Sequence, residues 1–311
     1  MNNEAVVSFI LENKLGDVNT NTSFKNLTTI KCGGKISVLF QPYTINKFML
    51  FMDYVLENKL PYFVIGNGSN ILASDNEYEG IVISFSKLKE RIHFNFYDKY
   101  ALVSVHAGVL CPVFSKILSD KFLTGGEALS TLPASIGGTI AMNASCYDYK
   151  TSKHLVRALI YTKDGLRWYK NYELNYKYRE SIVSNSEMIV LAGEFIFEKG
   201  KIENIMKKTN FFKEQRKKTQ PYGVYSAGST FRNYENINAW KLIDEVGLRG
   251  YSYKSVKVSD VHTNFIVNEG NAKSNDVLKV VQYVKDKVKE EKQILLKEEW
   301  IFLTLNIYKK K

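Results

Sequence analysis

Five segments of this chain carry residue types that could do chemistry. Gly66-Asn67-Gly68-Ser69-Asn70 follows an apolar run, and two glycines among small polar residues would expose several peptide N–H groups, a nest suited to phosphate. It does not complete a GxGxxG fingerprint, because Ile71 stands where the third glycine belongs and no clean helix follows. An ordinary turn is an equal reading. Gly125 to Ser145 sets four glycines among alanines and hydroxyls, which permits close backbone approach to a ligand or a tightly packed helix–loop junction. Tyr178-Arg179-Glu180-Ser181 places an arginine in an aromatic-rich run, either stacked on tyrosine at the surface or held for a carboxylate. Ser226 to Asn233 is a small-residue loop with two serines and Arg232; it lacks a GxSxG elbow and a nearby histidine, which argues against a serine hydrolase. Glu298 and Glu299 lie in LLKEEWIFL, where on a strand they would face opposite sides. One of them could point among apolar neighbours, where burial raises a carboxyl pKa; an exposed edge is the alternative.

The remaining reactive residues are scattered. His93, His106, His154 and His262 read as structural. Cys32, Cys111 and Cys146 form no CxxC or Cys/His cluster, which argues against a structural zinc site or disulfide framework and for a reducing compartment.

The elements that must position these segments follow from pattern. Thr44 to Asn58 reads as a helix, capped by Thr44, with Phe48, Phe51 or Met52, and Val55 at helical spacing. Strands are expected at Pro61–Ile65, Gly80–Phe85, Ile92–Phe96, Leu102–Ala107, Ala158–Thr162, Leu166–Tyr169 and Met188–Phe197, with Lys163-Asp164-Gly165 as a hairpin turn. Lys201 to Lys218 reads as a basic helix, Thr219 to Phe231 as a loop, and Ala239 to Val246 as a helix closed by Gly247. A strand at Asn264–Asn268 precedes a long helix from Ser274 to about Glu290. Ser274-Asn275-Asp276 should cap it, and Val277, Val280, Val281, Val284 and Val288 form its apolar stripe. Glu298 to Ile307 is a last β-run.

At 311 residues the chain has room for about two domains. Aromatic residues at 13% and charged residues at 24% describe a globular protein rather than a disordered one. No apolar run approaches the ~18–20 residues of a membrane span, and the N-terminus reads as an amphipathic helix rather than a signal peptide, so a cytoplasmic location is expected. The net charge of +11 would suit nucleic acid, an anionic membrane or a phosphorylated ligand, but a solvated basic face explains it as well.

Taken in order, the segments resemble one family from about Asn21 to Leu303: UDP-N-acetylenolpyruvoylglucosamine reductase, the flavoenzyme of peptidoglycan precursor synthesis. GNGSNILASD resembles its first flavin loop. TLPASIGGTIAMNA resembles IPGSVGGAVxMNAG, with Ala134 for a usual glycine. YRES matches YRxS, and HTNFIVN matches HxNFIVN. QPYGVYSAGSTFRN matches QPxxxPSAGSxFKNP, with Tyr225 and Tyr234 in place of prolines. LLKEEW, ending in Trp300, stands where LEPEVR is expected. The short interval from Arg179 to Ser229 resembles the family type that lacks an inserted tyrosine loop.

The resemblance implies an α+β chain: a two-part FAD-binding fold of the PCMH/vanillyl-alcohol-oxidase type plus a C-terminal α+β substrate domain. Residues 1–87 would form the first flavin subdomain, with a strand at 303–311 returning to it, residues 88–210 the second, and 211–302 the substrate domain. NADPH would reduce FAD, which would pass hydride to the enolpyruvyl C3 of UDP-N-acetylglucosamine enolpyruvate. Ser229 would protonate C2, while Arg179 and Glu299 would stabilise the enolate-like intermediate. Gly66, Asn67, Gly68, Ser69, Asn70, Pro133, Ser135, Ile136, Gly137, Gly138 and Asn143 would contact the flavin, and Tyr178, Arg232, Asn233 and Asn264 the substrate. No metal, nucleic acid, membrane or obligate protein partner is implied. Two other readings remain: another FAD-linked oxidoreductase of the same fold, or a basic nucleic-acid-binding protein, which would be colourless and bind in a salt-sensitive way.

Overall fold

The computed structural model describes residues 1–88, 92–184 and 186–303. The chain forms two compact units. The first comprises Met1–Asn19, Val38–Asn67 and Ile81–Gln215; the second comprises Thr20–Ser37, Gly68–Gly80 and the chain from Arg216. The chain passes from one unit to the other inside the GNGSN loop, after Asn67.

In the first unit, helix Ile45–Glu57 begins where the sequence expects it, with the Thr44 hydroxyl accepting the Lys47 N–H at 3.2 Å. Its inward stripe, Phe48, Phe51, Met52 and Val55, is fully buried. The strand after it, Tyr62–Ile65, pairs parallel with Tyr78–Ser84 and belongs to a sheet that also holds Lys35–Pro42 and Gly16–Asn19. A second, antiparallel sheet runs in the order Gly165–Lys170, Leu155–Thr162, Ile189–Lys199, Tyr100–His106, Ile92–Phe96. The hairpin expected at Lys163-Asp164-Gly165 forms with Lys163 and Asp164 as its loop, Gly165 pairing with Thr162 in the ladder at φ +105°. Helices Cys111–Asp120 and Ile136–Ala141 contribute Phe114, Leu118 and Ile140 to a core shared with Phe195, Phe197 and Val105.

The second unit is built on an antiparallel sheet ordered Tyr225–Ser229, Phe265–Asn268, Val256–Val258, Ser252–Tyr253. Helix Ser274–Lys292 buries Val277, Val280, Val281, Val284 and Val288, the stripe read from sequence, together with Phe231, Leu242, Ile266 and Trp300. Strand Ile301–Leu303 pairs parallel with Ile71–Ala73. The β-run expected from Glu298 begins only at Ile301, with Glu298 in an isolated bridge to Phe231; residues 304–311, which include the rest of that run and the expected returning strand, lie outside the described residues.

Two expectations are corrected. Tyr225–Ser229 is a strand inside the segment read as a loop, because its partner Phe265–Asn268 supplies the hydrogen bonds that its small residues do not advertise. The long helix is not capped by its own Ser274-Asn275-Asp276. Asp75 caps it instead, its carboxylate accepting the peptide N–H groups of Ser274 at 2.9 Å and Asn275 at 3.1 Å. No described helix is long and apolar enough to cross a membrane.

Candidate active site

Within the first unit the two small-residue segments meet. Asn67 donates its side-chain amide to the Pro133 carbonyl at 2.9 Å, and a β-carbon on Gly66 would press into the Ser135 hydroxyl. Ser135 is buried and caps helix Ile136–Ala141, accepting the Gly138 N–H at 3.4 Å. The peptide N–H groups at the start of this helix are already engaged: Ile136 with Val109 O and Gly137 with Ala107 O, both at 2.9 Å, and Thr139 with Ser135 O at 3.0 Å. The segment therefore offers a ligand small-residue surface rather than peptide donors. Gly137 is a packing position, since a β-carbon there would lie 2.8 Å from that of Ala107. Gly138 is open; the same atom would meet only the Ser135 hydroxyl, at 3.5 Å.

The GNGSN loop is the complement. Among the described residues no protein acceptor takes the peptide N–H of Asn67, Gly68, Ser69 or Asn70. Four successive free donors suit a phosphate-bearing cofactor. In the second unit Gly68, at φ +61°, lies so close to the Leu27 carbonyl that no side chain could stand there.

Arg179 sits at the tip of a tight turn in the first unit. Lys177 and Glu180 exchange backbone hydrogen bonds at 3.0 and 3.3 Å, leaving Tyr178 and Arg179 at the corners. Arg179 has φ +56°, a left-handed conformation that usually calls for glycine or asparagine. Its guanidinium donates to the Ser145 hydroxyl at 3.3 Å and lies 5.6 Å from the ring centroid of Tyr178, which is 53% exposed. Buried Asn143 carries the turn: it donates to Lys177 O at 3.0 Å and accepts the Ser152 N–H at 3.2 Å.

The second unit brings Ser229 and Glu299 onto adjoining segments. Ser226 pairs with Val267 and Ser229 with Phe265, leaving Ala227 and Gly228 against Ile266 alone, so the strand bulges. Gly228, at φ +75°, lies within the bulge, which re-aims the Ser229 side chain. The Glu299 N–H bonds Thr230 O at 2.8 Å, and Asn70 donates its side-chain amide to Glu299 O at 3.1 Å. Glu298 is committed elsewhere, its carboxylate 2.6 Å from the Lys285 ammonium. Asn264 uses both ends of its amide on the backbone of Phe231, at 2.9 Å each, and Asn233 accepts the Ala239 N–H at 3.1 Å. Both therefore hold the fold around Ser229. Arg232 is half-buried, its N–H on Lys297 O at 2.8 Å.

Comparison with known proteins bears on the whole chain. A family model for the C-terminal domain of UDP-N-acetylenolpyruvoylglucosamine reductase matches residues 220–303, and one for an FAD binding domain matches residues 36–168. The reductase of Clostridium tetani is 36% identical over 301 residues, covering 96% of each chain, and that of Bacillus pumilus is 35% identical over 284 residues, covering 91% of this chain and 92% of its own. The chain belongs to the UDP-N-acetylenolpyruvoylglucosamine reductase family. The crystal structure of the reductase from Thermus caldophilus superposes with a TM-score of 0.76 at 30% identity, covering 93% of this chain and 99% of that one. The fold is accordingly α+β, an FAD-binding domain of the PCMH type joined to the family's C-terminal domain.

For a member of this reductase family, Ser229 and Glu299 fall inside the C-terminal match, while Arg179 lies between the two matched ranges. Between Arg179 and Ser229 the described residues include strand Ile189–Lys199 and helix Ile202–Thr219. Thr29 was not read from sequence. Its hydroxyl donates to Ser226 O at 2.6 Å, bracing the serine strand from a position 197 residues away, a distance that leaves no local signal. Among the described residues no group of three or more His, Cys, Asp or Glu could hold a metal.

Proposed function

We infer that this chain is an FAD-dependent UDP-N-acetylmuramate dehydrogenase, reducing UDP-N-acetylglucosamine enolpyruvate with NADPH in peptidoglycan precursor synthesis. The observation that carries the reading is the pairing of the Ser229 and Glu299 segments beside a loop of four unengaged peptide N–H groups. Those donors fit the phosphates of FAD. When bound, FAD supplies hydride transfer from NADPH to the enolpyruvyl C3.

The residues supply the rest. Adding hydride at C3 pushes charge toward C2 and its carboxylate. Arg179 is assigned to that carboxylate, where a fixed guanidinium acts more strongly on the transition state than on the ground state. A left-handed arginine at a turn tip supports the assignment, since such strain persists where the surroundings hold the residue for a purpose. Ser229 holds the proton delivered to C2. Glu299 is assigned as the acid beside the intermediate because it stands at the matched position of the LLKEEW segment, whereas the Glu298 carboxylate pairs with Lys285. Tyr178 and Arg232 remain assigned to the substrate; Asn233 and Asn264 support the segment carrying Ser229. The boundaries at 87/88 and 210/211 belong to the same reading, as does a cytoplasmic location, where NADPH and a nucleotide-linked sugar are at hand. The net charge of +11 then serves as a favourable field for two anionic ligands.

The purified protein should be yellow, and its oxidation of NADPH should depend on the enolpyruvyl nucleotide. A protein that cannot take up FAD would sink the reading. Oxidation that proceeds equally without the nucleotide would favour another FAD-linked oxidoreductase.

A further inference from the structure

The register between the two catalytic segments of the second unit is fixed by three contacts. Glu299 donates its N–H to Thr230 O, Arg232 donates to Lys297 O, both at 2.8 Å, and Phe231 stands opposite Glu298. This is the narrow, non-hydrogen-bonded pair of an antiparallel ladder, which puts Thr230 opposite Glu299 one step along. Glu299 is thereby the backbone neighbour of Thr230, its N–H on the Thr230 carbonyl, and the ladder ends there because the Thr230 N–H turns to Asn264 O.

Thr230 is fully buried, at 0% exposure, and its hydroxyl has no hydrogen-bond partner. Its backbone is fully used, the N–H on Asn264 O at 2.8 Å and the carbonyl on Glu299. A buried hydroxyl without a partner destabilises a fold, and valine would fill the same space without that cost. The group makes no hydrogen bond in the fold, yet its residue is bonded through the backbone to the residue assigned as the acid of the reaction.

We propose that Thr230 is a positioning residue for Glu299: with substrate bound, its hydroxyl donates a hydrogen bond to the Glu299 carboxyl and fixes that side chain beside the reacting carbons. The proposal rests on the assignment of Glu299 made above.

The test compares the wild type, Thr230→Val, Thr230→Ser and Glu299→Gln by stopped flow across a range of pH. Flavin bleaching by NADPH and flavin recovery on adding the enolpyruvyl nucleotide are followed separately. Thr230→Val should hold FAD, be bleached at the wild-type rate and melt no lower than the wild type, since it loses an unpaired buried hydroxyl. Its recovery step should slow ~10-fold or more, the weight of one hydrogen bond to a charged group. The pH inflection that Glu299→Gln abolishes should move to higher pH in Thr230→Val, because a donated hydrogen bond favours the ionised carboxyl. Thr230→Ser should restore both. Recovery of Thr230→Val at the wild-type rate across the pH range overturns the proposal alone. A slowing that Thr230→Ser does not reverse also overturns it, since the effect would then be one of shape. A wild type not reoxidised by the nucleotide overturns the functional reading and this proposal with it.

Discussion

A serine hydroxyl is a weak acid, so the assignment of Ser229 needs a test that separates proton delivery from a hydroxyl in a turn. The two half-reactions provide it. Ser229 acts only after hydride leaves the flavin, so Ser229→Ala should fold, bind FAD and be bleached by NADPH normally. Recovery of the flavin on adding the enolpyruvyl nucleotide should slow by at least ~10²-fold, the low end for a positioned acid–base group. Ser226→Ala is the control. Ser226 lies in the same strand, but its contribution there is a carbonyl held by Thr29, which the substitution leaves in place. Similar behaviour of the two alanine variants, or normal recovery in Ser229→Ala, would remove the proton-donor role. Residue identities at this site were legible because the SAGS and YRES motifs are short and contiguous. Their surroundings were not. The bulge at Gly228, the left-handed φ of Arg179 and the bracing by Thr29 depend on partners remote in sequence.

At the scale of elements, the short helix Ile136–Ala141 discriminates ligand contact from packing through its two glycines. A methyl group on Gly137 would collide with Ala107, so Gly137→Ala should lower the thermal stability of the apoprotein as well as FAD content. Gly138 has room for a methyl group, and alanine favours a helix by roughly 0.5–1 kcal/mol over glycine. Gly138→Ala apoprotein should therefore melt at or above the wild-type temperature, while FAD affinity, read by titrating apoprotein with FAD, falls ~10-fold, within the usual cost of overpacking a contact. Unchanged affinity in Gly138→Ala would place the flavin elsewhere. The same scale shows what sequence conveys about elements. Thr44 announces its helix because cap and capped N–H are three residues apart. Helix Ser274–Lys292 starts where its valine stripe says, but its cap comes from Asp75, some 200 residues earlier, and nothing local reveals that. Tyr225–Ser229 was missed as a strand because glycine, alanine and serine give no alternation to read.

At the scale of the whole molecule, each unit has its own core, and each unit holds a half-buried histidine kept below its ordinary range by burial. The division itself was only partly legible: the sequence is interrupted, the second unit drawing Thr20–Ser37 and Gly68–Gly80 from amid the first, and no composition change marks those crossings. In the first unit His154 lies between the rings of Tyr149 and Phe197, each 5.1 Å away. Ile196 O, Asp148 and Glu127 oppose the effect of burial, and Lys153 adds to it. In the second unit His262 packs against Trp240 at 6.1 Å and Phe265 at 5.0 Å, with Arg249 adding to burial. Unfolded, both imidazoles take up a proton as pH falls through about 6.5. The folded forms protonate only at lower pH, so below that point the unfolded chain holds more protons and stability falls with pH. Above about pH 6.5 both contributions are fully present. Asp17, held low by the Tyr43 hydroxyl, and Glu173, held low by the Lys170 N–H, act in the same direction, but only below about pH 4.5. Melting temperature should therefore already drop between pH 7 and pH 5, before those carboxylates titrate. His154→Phe preserves the ring stack and removes the titrating group, and His262→Phe does the same in the second unit. Each should flatten the pH 7-to-5 decline in Tm, and the double variant should flatten it most. A wild type whose Tm is constant over that interval, or variants with the same slope as the wild type, would show that neither imidazole is linked to folding.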